Sequence, residues 1–153
     1  MPQIIKLSSE YSSRIAELET KCFAPFMQWN EKMIAESFNG GNTTFFGAQE
    51  SDGLVGYIAV SYCCGEAELL KICVLPEFRR YGNAEKLFNA AFDNLVEIHG
   101  EEFEKMILEV AADNFSAKKF YEKCGFRELA TRKGYYRDAN KAIDAILMIK
   151  TVK

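Results

Sequence analysis

Val74-Leu75-Pro76-Glu77-Phe78-Arg79-Arg80-Tyr81-Gly82-Asn83-Ala84 is the stretch on which the reading of this 153-residue chain turns. It carries a buried strand into a turn and then into the start of an amphipathic helix. Successive backbone N–H groups of such a turn, with roughly half a unit of positive charge at the helix N-terminus, form an anion site that can cradle a diphosphate without a metal. Gly82 lets backbone approach phosphate, Arg79 and Arg80 set fixed charge at the mouth, and small Ala84 lets the helix begin close to the strand. Taken alone, the same residues also describe an ordinary turn with a solvated rim.

Working outward, residues 87–98 place Leu87, Phe88, Ala91, Phe92, Leu95 and Ile98 on one helical face, ending at His99-Gly100. The lone histidine, His99, reads as a helix C-terminal residue. Residues 105–111 read as a buried strand; a helix separates it from the strand ending at Val74, so the two should run parallel with a right-handed crossover. Asn114 caps a helix carrying Ala117, Phe120, Tyr121 and Cys124, stopped by Gly125. Two last strands, residues 126–135 and 143–150, flank a polar turn at Arg137-Asp138-Ala139-Asn140.

Upstream, residues 3–7 read as a short strand, after which Ser8 or Ser9 caps a helix bearing Tyr11, Ile15, Leu18 and Cys22. Asn30 caps a second helix, with Trp29 and Ile34 spaced as a hydrophobic staple and Gly40-Gly41 as its stop. Residues 43–49 and 54–64 are β-rich runs around Ser51-Asp52-Gly53, and Cys64-Gly65-Glu66 turns into a third strand over residues 67–74. The sum is an α/β (α+β) architecture: a mixed, mostly antiparallel sheet of about seven strands with helices on both faces. No repeat or linker divides the chain, so residues 1–153 read as a single domain.

Hydrophobic residues make up 48% of the chain and charged ones 27%, an ordinary globular balance. No apolar run approaches the roughly 18 residues of a membrane span, and the N-terminus lacks signal-peptide architecture, so no membrane is implied and the expected compartment is cytoplasmic. A net charge of −3 speaks against nucleic acid as a partner. The five cysteines are odd in number, mostly lie in apolar stretches and contain no Cys-x-x-Cys, which reads as reduced thiols with no metal site.

Glu109 stands out because it interrupts Met106-Ile107-Leu108 and Val110-Ala111-Ala112, where an ionised carboxylate is costly to bury. It should face a cleft or a partner. An edge-facing or ion-paired glutamate is the alternative.

The pattern Arg-x-x-Gly-x-Ala at residues 79–84 resembles the coenzyme A pyrophosphate loop of the GNAT family of N-acetyltransferases, and the order of elements is that of the GNAT fold. The resemblance spans essentially the whole chain and is nearest to RimI-type enzymes, which modify the N-terminal amine of a ribosomal small-subunit protein. Three further stretches carry it: Phe26-Met27-Gln28-Trp29-Asn30-Glu31-Lys32, Leu108-Glu109-Val110-Ala111-Ala112-Asp113-Asn114, and Ala117-Lys118-Lys119-Phe120-Tyr121-Glu122-Lys123-Cys124-Gly125-Phe126.

The resemblance implies acetyl-CoA as co-substrate, held by Arg79, Arg80, Tyr81, Gly82, Asn83 and Ala84, with Asn114 as a further contact. Backbone groups of Ile72, Cys73 and Val74 would hold the pantetheine and donate to the thioester oxygen. Glu109 would be the general base, and Tyr121 would protonate the departing thiolate. Trp29, Tyr135 and Tyr136 would contact the amine acceptor, a protein N-terminus and, by resemblance, that of a ribosomal protein. Glu85 replaces a basic residue common in the family, and the proline usual after the paired tyrosines is absent. Two alternatives remain open: a polyamine-type small-amine acetyltransferase and a non-catalytic acyl-CoA-binding module. A covalent acyl-Cys73 route lacks a neighbouring base.

Overall fold

The computed structural model describes residues 1–51, 53–138 and 141–152. Seven strands form one sheet in the order β1-β2-β3-β4-β5-β7-β6. They are β1 (Gln3–Lys6), β2 (Thr43–Glu50), β3 (Gly53–Cys63), β4 (Glu66–Val74), β5 (Lys105–Ala111), β6 (Arg127–Asp138) and β7 (Lys141–Thr151). Four helices accompany them: α1 (Ser12–Cys22), α2 (Glu31–Gly40), α3 (Asn83–His99) and α4 (Phe115–Lys123). Every strand pair is antiparallel except β4 with β5, which α3 connects. Asp52 and residues 139–140 of the expected turns lie outside the described residues.

Alternation along the strands divides the core between the faces of the sheet. In β3, Ile58 and Val60 join Leu87, Phe88, Ala91 and Leu95 of α3, while Tyr57 and Ala59 join Ile15 and Leu18 of α1 and Ile34 of α2. A strand buried on both sides needs the near-continuous apolar run found there. Gly56 sits where the backbone packs closely, since a Cβ at that position would lie 2.7 Å from the Cys73 carbonyl oxygen.

Three local expectations differ from what is observed. Neither Ser8 nor Ser9 caps α1 with its side chain; a single 3-10 turn (Ser9–Tyr11) leads in, and the Ser12 hydroxyl donates to the Ser9 carbonyl at 2.7 Å. The helical stripe of α3 excludes Ile98, which is 59% exposed, while the next residue, His99, stacks on Tyr62 of β3 at 3.5 Å. β5 is not buried on both faces: Met106, Leu108 and Val110 are buried while the alternate residues are half-buried. The caps at Asn30 and Asn114 form as expected, accepting from Met33 N–H at 2.9 Å and Ala117 N–H at 3.2 Å.

The decisive feature lies between β4 and β5. Their parallel pairing covers only Glu66↔Lys105, Ala67↔Met106 and Glu68↔Ile107. Beyond it β4 pairs only with β3 and β5 only with β7, so the two strands part in the middle of the sheet. The register against β3 slips at this point, with Ala59 opposite Lys71 and Val60 opposite Leu69, leaving Leu70 as an extra residue. Such a bulge bends its strand and increases local twist.

Gly56→Ala should lower stability by about 1–3 kcal/mol, the usual penalty for overpacking a close contact. A urea titration of the two proteins measures it as a drop in midpoint at unchanged slope.

Candidate active site

The parting of β4 and β5 opens a cleft of about 990 Å³. Its floor is the outer part of β4, including Ile72, Cys73 and Val74, and its far side is β5 from Glu109 to Ala111. Tyr121 of α4 and the capping residue Asn114 line it, as do Tyr135 and Tyr136 of β6. Cys22, Phe23, Met27 and Trp29, from the end of α1 and the segment before α2, form another wall. Arg79, Arg80 and Ala84 stand at its mouth, whereas Tyr81, Gly82 and Asn83 do not line it.

The loop from β4 to α3 combines a 3-10 turn, two left-handed residues and the N-terminus of α3. After one 3-10 turn (Pro76–Phe78), Arg80 and Gly82 both take left-handed backbone, with φ of 69° and 81°. A non-glycine residue there is strained, and strain of this kind is kept where backbone N–H groups must point a particular way. Gly82 is the N-cap of α3 and provides no side-chain acceptor. Open space surrounds its Cα, so its backbone angle rather than crowding requires glycine. The side chain of Asn83 is buried and braces the loop, donating to the Phe78 carbonyl at 2.9 Å. The Arg79 Nε donates to the Val74 carbonyl at 2.7 Å, so this arginine also fixes the turn. Glu85 pairs with Lys123 at 3.1 Å, which offsets the acidic substitution at this positive end.

Glu109 projects from the half-buried face of β5. Arg132 Nη1 lies 3.7 Å from its Oε1, while its Oε2 is buried and has no hydrogen-bond partner among the described residues. A buried carboxylate oxygen without a donor is costly in a folded protein, and one aimed at a cleft is a place for an amine or a water. Arg132 also lies over the Tyr135 ring, 5.4 Å from its centroid, and so links the carboxylate to the paired tyrosines. Those tyrosines meet edge to face at 5.1 Å. Burial, with the Glu109 charge next in importance, pushes the Tyr136 phenol up to about 12. Burial likewise raises Tyr121, which packs against Phe120 and Phe126, well above the ordinary phenol range and keeps it protonated.

Several residues at the cleft were not singled out in the sequence. Glu68 is held above the usual carboxylate range by burial and then by the charge of Glu109. Lys71 and Arg132 also belong here. The signal for Lys71 was the one used for Glu109, a charge inside an apolar strand, at Leu69-Leu70-Lys71-Ile72. Arg132 carried no such signal, since it sits in a polar stretch. Cys22 adjoins Cys73 and Arg79; the hydrogen bond from Cys73 leads the effects that lower its thiol to about 7. No group of three or more His, Cys, Asp or Glu side chains among the described residues is arranged to hold a metal.

The Acetyltransferase (GNAT) domain family matches residues 9–143, and the chain belongs to it. It is an acetyltransferase with the GNAT fold. Among its relatives, the [ribosomal protein bS18]-alanine N-acetyltransferase of Salmonella typhimurium is 32% identical over 78% of this chain and 86% of that one. An N-alpha-acetyltransferase of Saccharolobus solfataricus is 31% identical, covering 69% of this chain and 68% of its own. The crystal structure of the ribosomal-protein-S18-alanine N-acetyltransferase from Escherichia coli superposes with a TM-score of 0.89 at 26% identity. That superposition covers 100% of this chain and 95% of the other.

Alkylation of Cys22 by iodoacetamide, followed by mass spectrometry across pH, should rise with a midpoint near 7. The sign follows from the shift: a lowered thiol is already thiolate below the ordinary range near 8.5. A midpoint at the ordinary value would contradict the Cys22, Cys73 and Arg79 arrangement.

Proposed function

We propose that the chain transfers the acetyl group of acetyl-CoA directly to a protein N-terminal α-amine, with both substrates bound at once. The observation that carries this reading is Glu109: one carboxylate oxygen faces Arg132 and the other is buried beside the cleft with no partner among the described residues. The N-terminal acceptor is supported by what the relatives act on, the alanine of ribosomal protein bS18 in the Salmonella enzyme. The catalytic unit is the single domain of residues 1–153, whose cleft draws on residues from Cys22 to Tyr136. All five cysteines are free thiols, which suits a reducing, cytoplasmic setting.

In this reading the diphosphate of acetyl-CoA meets the β4–α3 loop, with Arg79, Arg80, Tyr81, Gly82, Asn83, Ala84 and Asn114 as its contacts. The thioester arm lies along Ile72, Cys73 and Val74. The amine nitrogen attacks the thioester carbonyl carbon, and main-chain N–H groups of β4 stabilise the developing oxyanion. Collapse breaks the C–S bond. The surplus proton on nitrogen passes to Glu109, and Tyr121 protonates the departing thiolate. An α-ammonium has a reference pKa near 7.7–8.0 against about 10.4 for lysine, so a carboxylate has less to do at a chain terminus. Burial keeps Tyr121 protonated, and the same low polarity makes a thiolate leaving there more basic than its usual value near 8.5. Trp29, Tyr135 and Tyr136 contact the peptide.

A polyamine acceptor is the second reading, favoured by Glu68 standing close enough to Glu109 for the two carboxylates to feel each other. Peptides with a free N-terminal alanine, the same peptides blocked at that amine, and polyamines should be incubated separately with acetyl-CoA. Only the free peptides should gain an acetyl group by mass. Turnover confined to polyamines would establish the second reading, and no turnover with any amine would leave an acyl-CoA-binding module. Glu109→Gln should lower kcat by about a hundredfold or more, while acetyl-CoA affinity measured by calorimetry stays within about twofold.

A further inference from the structure

We infer that Lys71 is a positioning residue for the amine acceptor, a role that rests on the acetyl-transfer reading above. It lies in β4 beside the bulge, with its side chain only 9% exposed. Its Nζ is 2.9 Å from Glu19 Oε1 and donates to the Met27 carbonyl. The same ammonium sits over two rings, 4.2 Å from the centroid of Phe23 and 4.9 Å from that of Trp29. Glu19, fully buried on α1, completes the arrangement. Its Oε1 also accepts the Trp29 backbone N–H at 2.7 Å and its Oε2 accepts the Tyr57 hydroxyl at 2.6 Å.

One cation therefore holds three residues, Phe23, Met27 and Trp29, of the segment between α1 and α2, and all three line the cleft. That segment has one short 3-10 turn (Pro25–Met27) and no ladder to a strand, so its backbone geometry does not fix its distance from β4. A buried ion pair contributes little net stability over apolar residues of the same volume, because desolvating both charges opposes their attraction. What the pair supplies here is direction: the Nζ protons and the ring faces accept one placement of the wall. Glu109 and the reacting end of the cleft lie across from it, and small displacements of a bound nucleophile cost rate steeply.

Lys71→Met keeps the stem and removes the cation. Its KM for the amine should rise about tenfold or more, with the KM for acetyl-CoA within about twofold of the parent. Acrylamide quenching of Trp29, the single tryptophan, should increase. Because the single change leaves Glu19 buried and uncompensated, a Glu19→Gln/Lys71→Met double variant is made alongside it. Its thermal stability should return toward the parent while the amine KM stays raised. An amine KM that is unchanged in Lys71→Met, or that returns together with stability in the double variant, would overturn the inference. If the parent acetylates only polyamines, the N-terminal acceptor reading fails and the same split is read with the polyamine. If the parent acetylates nothing, the transfer reading itself fails and the acceptor role falls with it, whereas unchanged Trp29 quenching would refute the clamp alone.

Discussion

Everything distinctive in this molecule follows from the early end of one parallel strand pairing. β4 and β5 share three residue pairs and then separate, although each continues as a strand against its other neighbour. A strand edge in mid-sheet leaves backbone donors and acceptors that must be satisfied by something. In most proteins that something is another strand. Here the edge of β4 borders a cleft, and an extended ligand carrying its own amides is the natural partner, in the manner of strand addition to a sheet edge. The bulge at Leu70 supplies a local cause, since it bends β4 just where pairing with β5 stops.

The same separation places the chemistry. Because β5 alternates, its inward residues pack under α3 while Glu109 emerges on the other side, at the parting. Tyr121 belongs to the core on the α3 side yet lines the cleft, which reaches through the sheet. A carboxylate and a phenol thus line one cavity from opposite faces of the sheet. Arg132 lies 3.7 Å from Glu109 Oε1, and burial holds Tyr121 protonated. The acid and base roles proposed for the two draw on this difference in surroundings.

Much of this was legible in the sequence wherever the signal is local. Pro76 and Gly82 punctuate the β4–α3 loop, Asn30 and Asn114 cap their helices, and Gly125 stops α4, each for a reason contained within a few residues. Glu109 was legible as a charge where only apolar residues were expected. Arg132, Glu68 and Cys22 were not, because their meaning depends on partners far along the chain: Arg132 acquires its role from a strand 23 residues earlier only when β7 brings the two together. The serines before α1 misled for the opposite reason. Their type suits a cap, but a 3-10 turn had already provided Tyr11 N–H with the Ser8 carbonyl.

Charge is distributed so that an acidic chain presents a positive end. The net charge is −3, yet the β4–α3 loop combines Arg79, Arg80 and a helix N-terminus, and Glu85 in the first turn of α3 is answered by Lys123. At the other end of the cleft Glu68 feels the charge of Glu109, and Arg132 lies 3.7 Å from Glu109 Oε1. On the proposed reading, an anionic co-substrate meets the arginine end of the cleft and a cationic acceptor the carboxylate end. That arrangement of charge would orient both substrates toward the point where the strands part without any moving part.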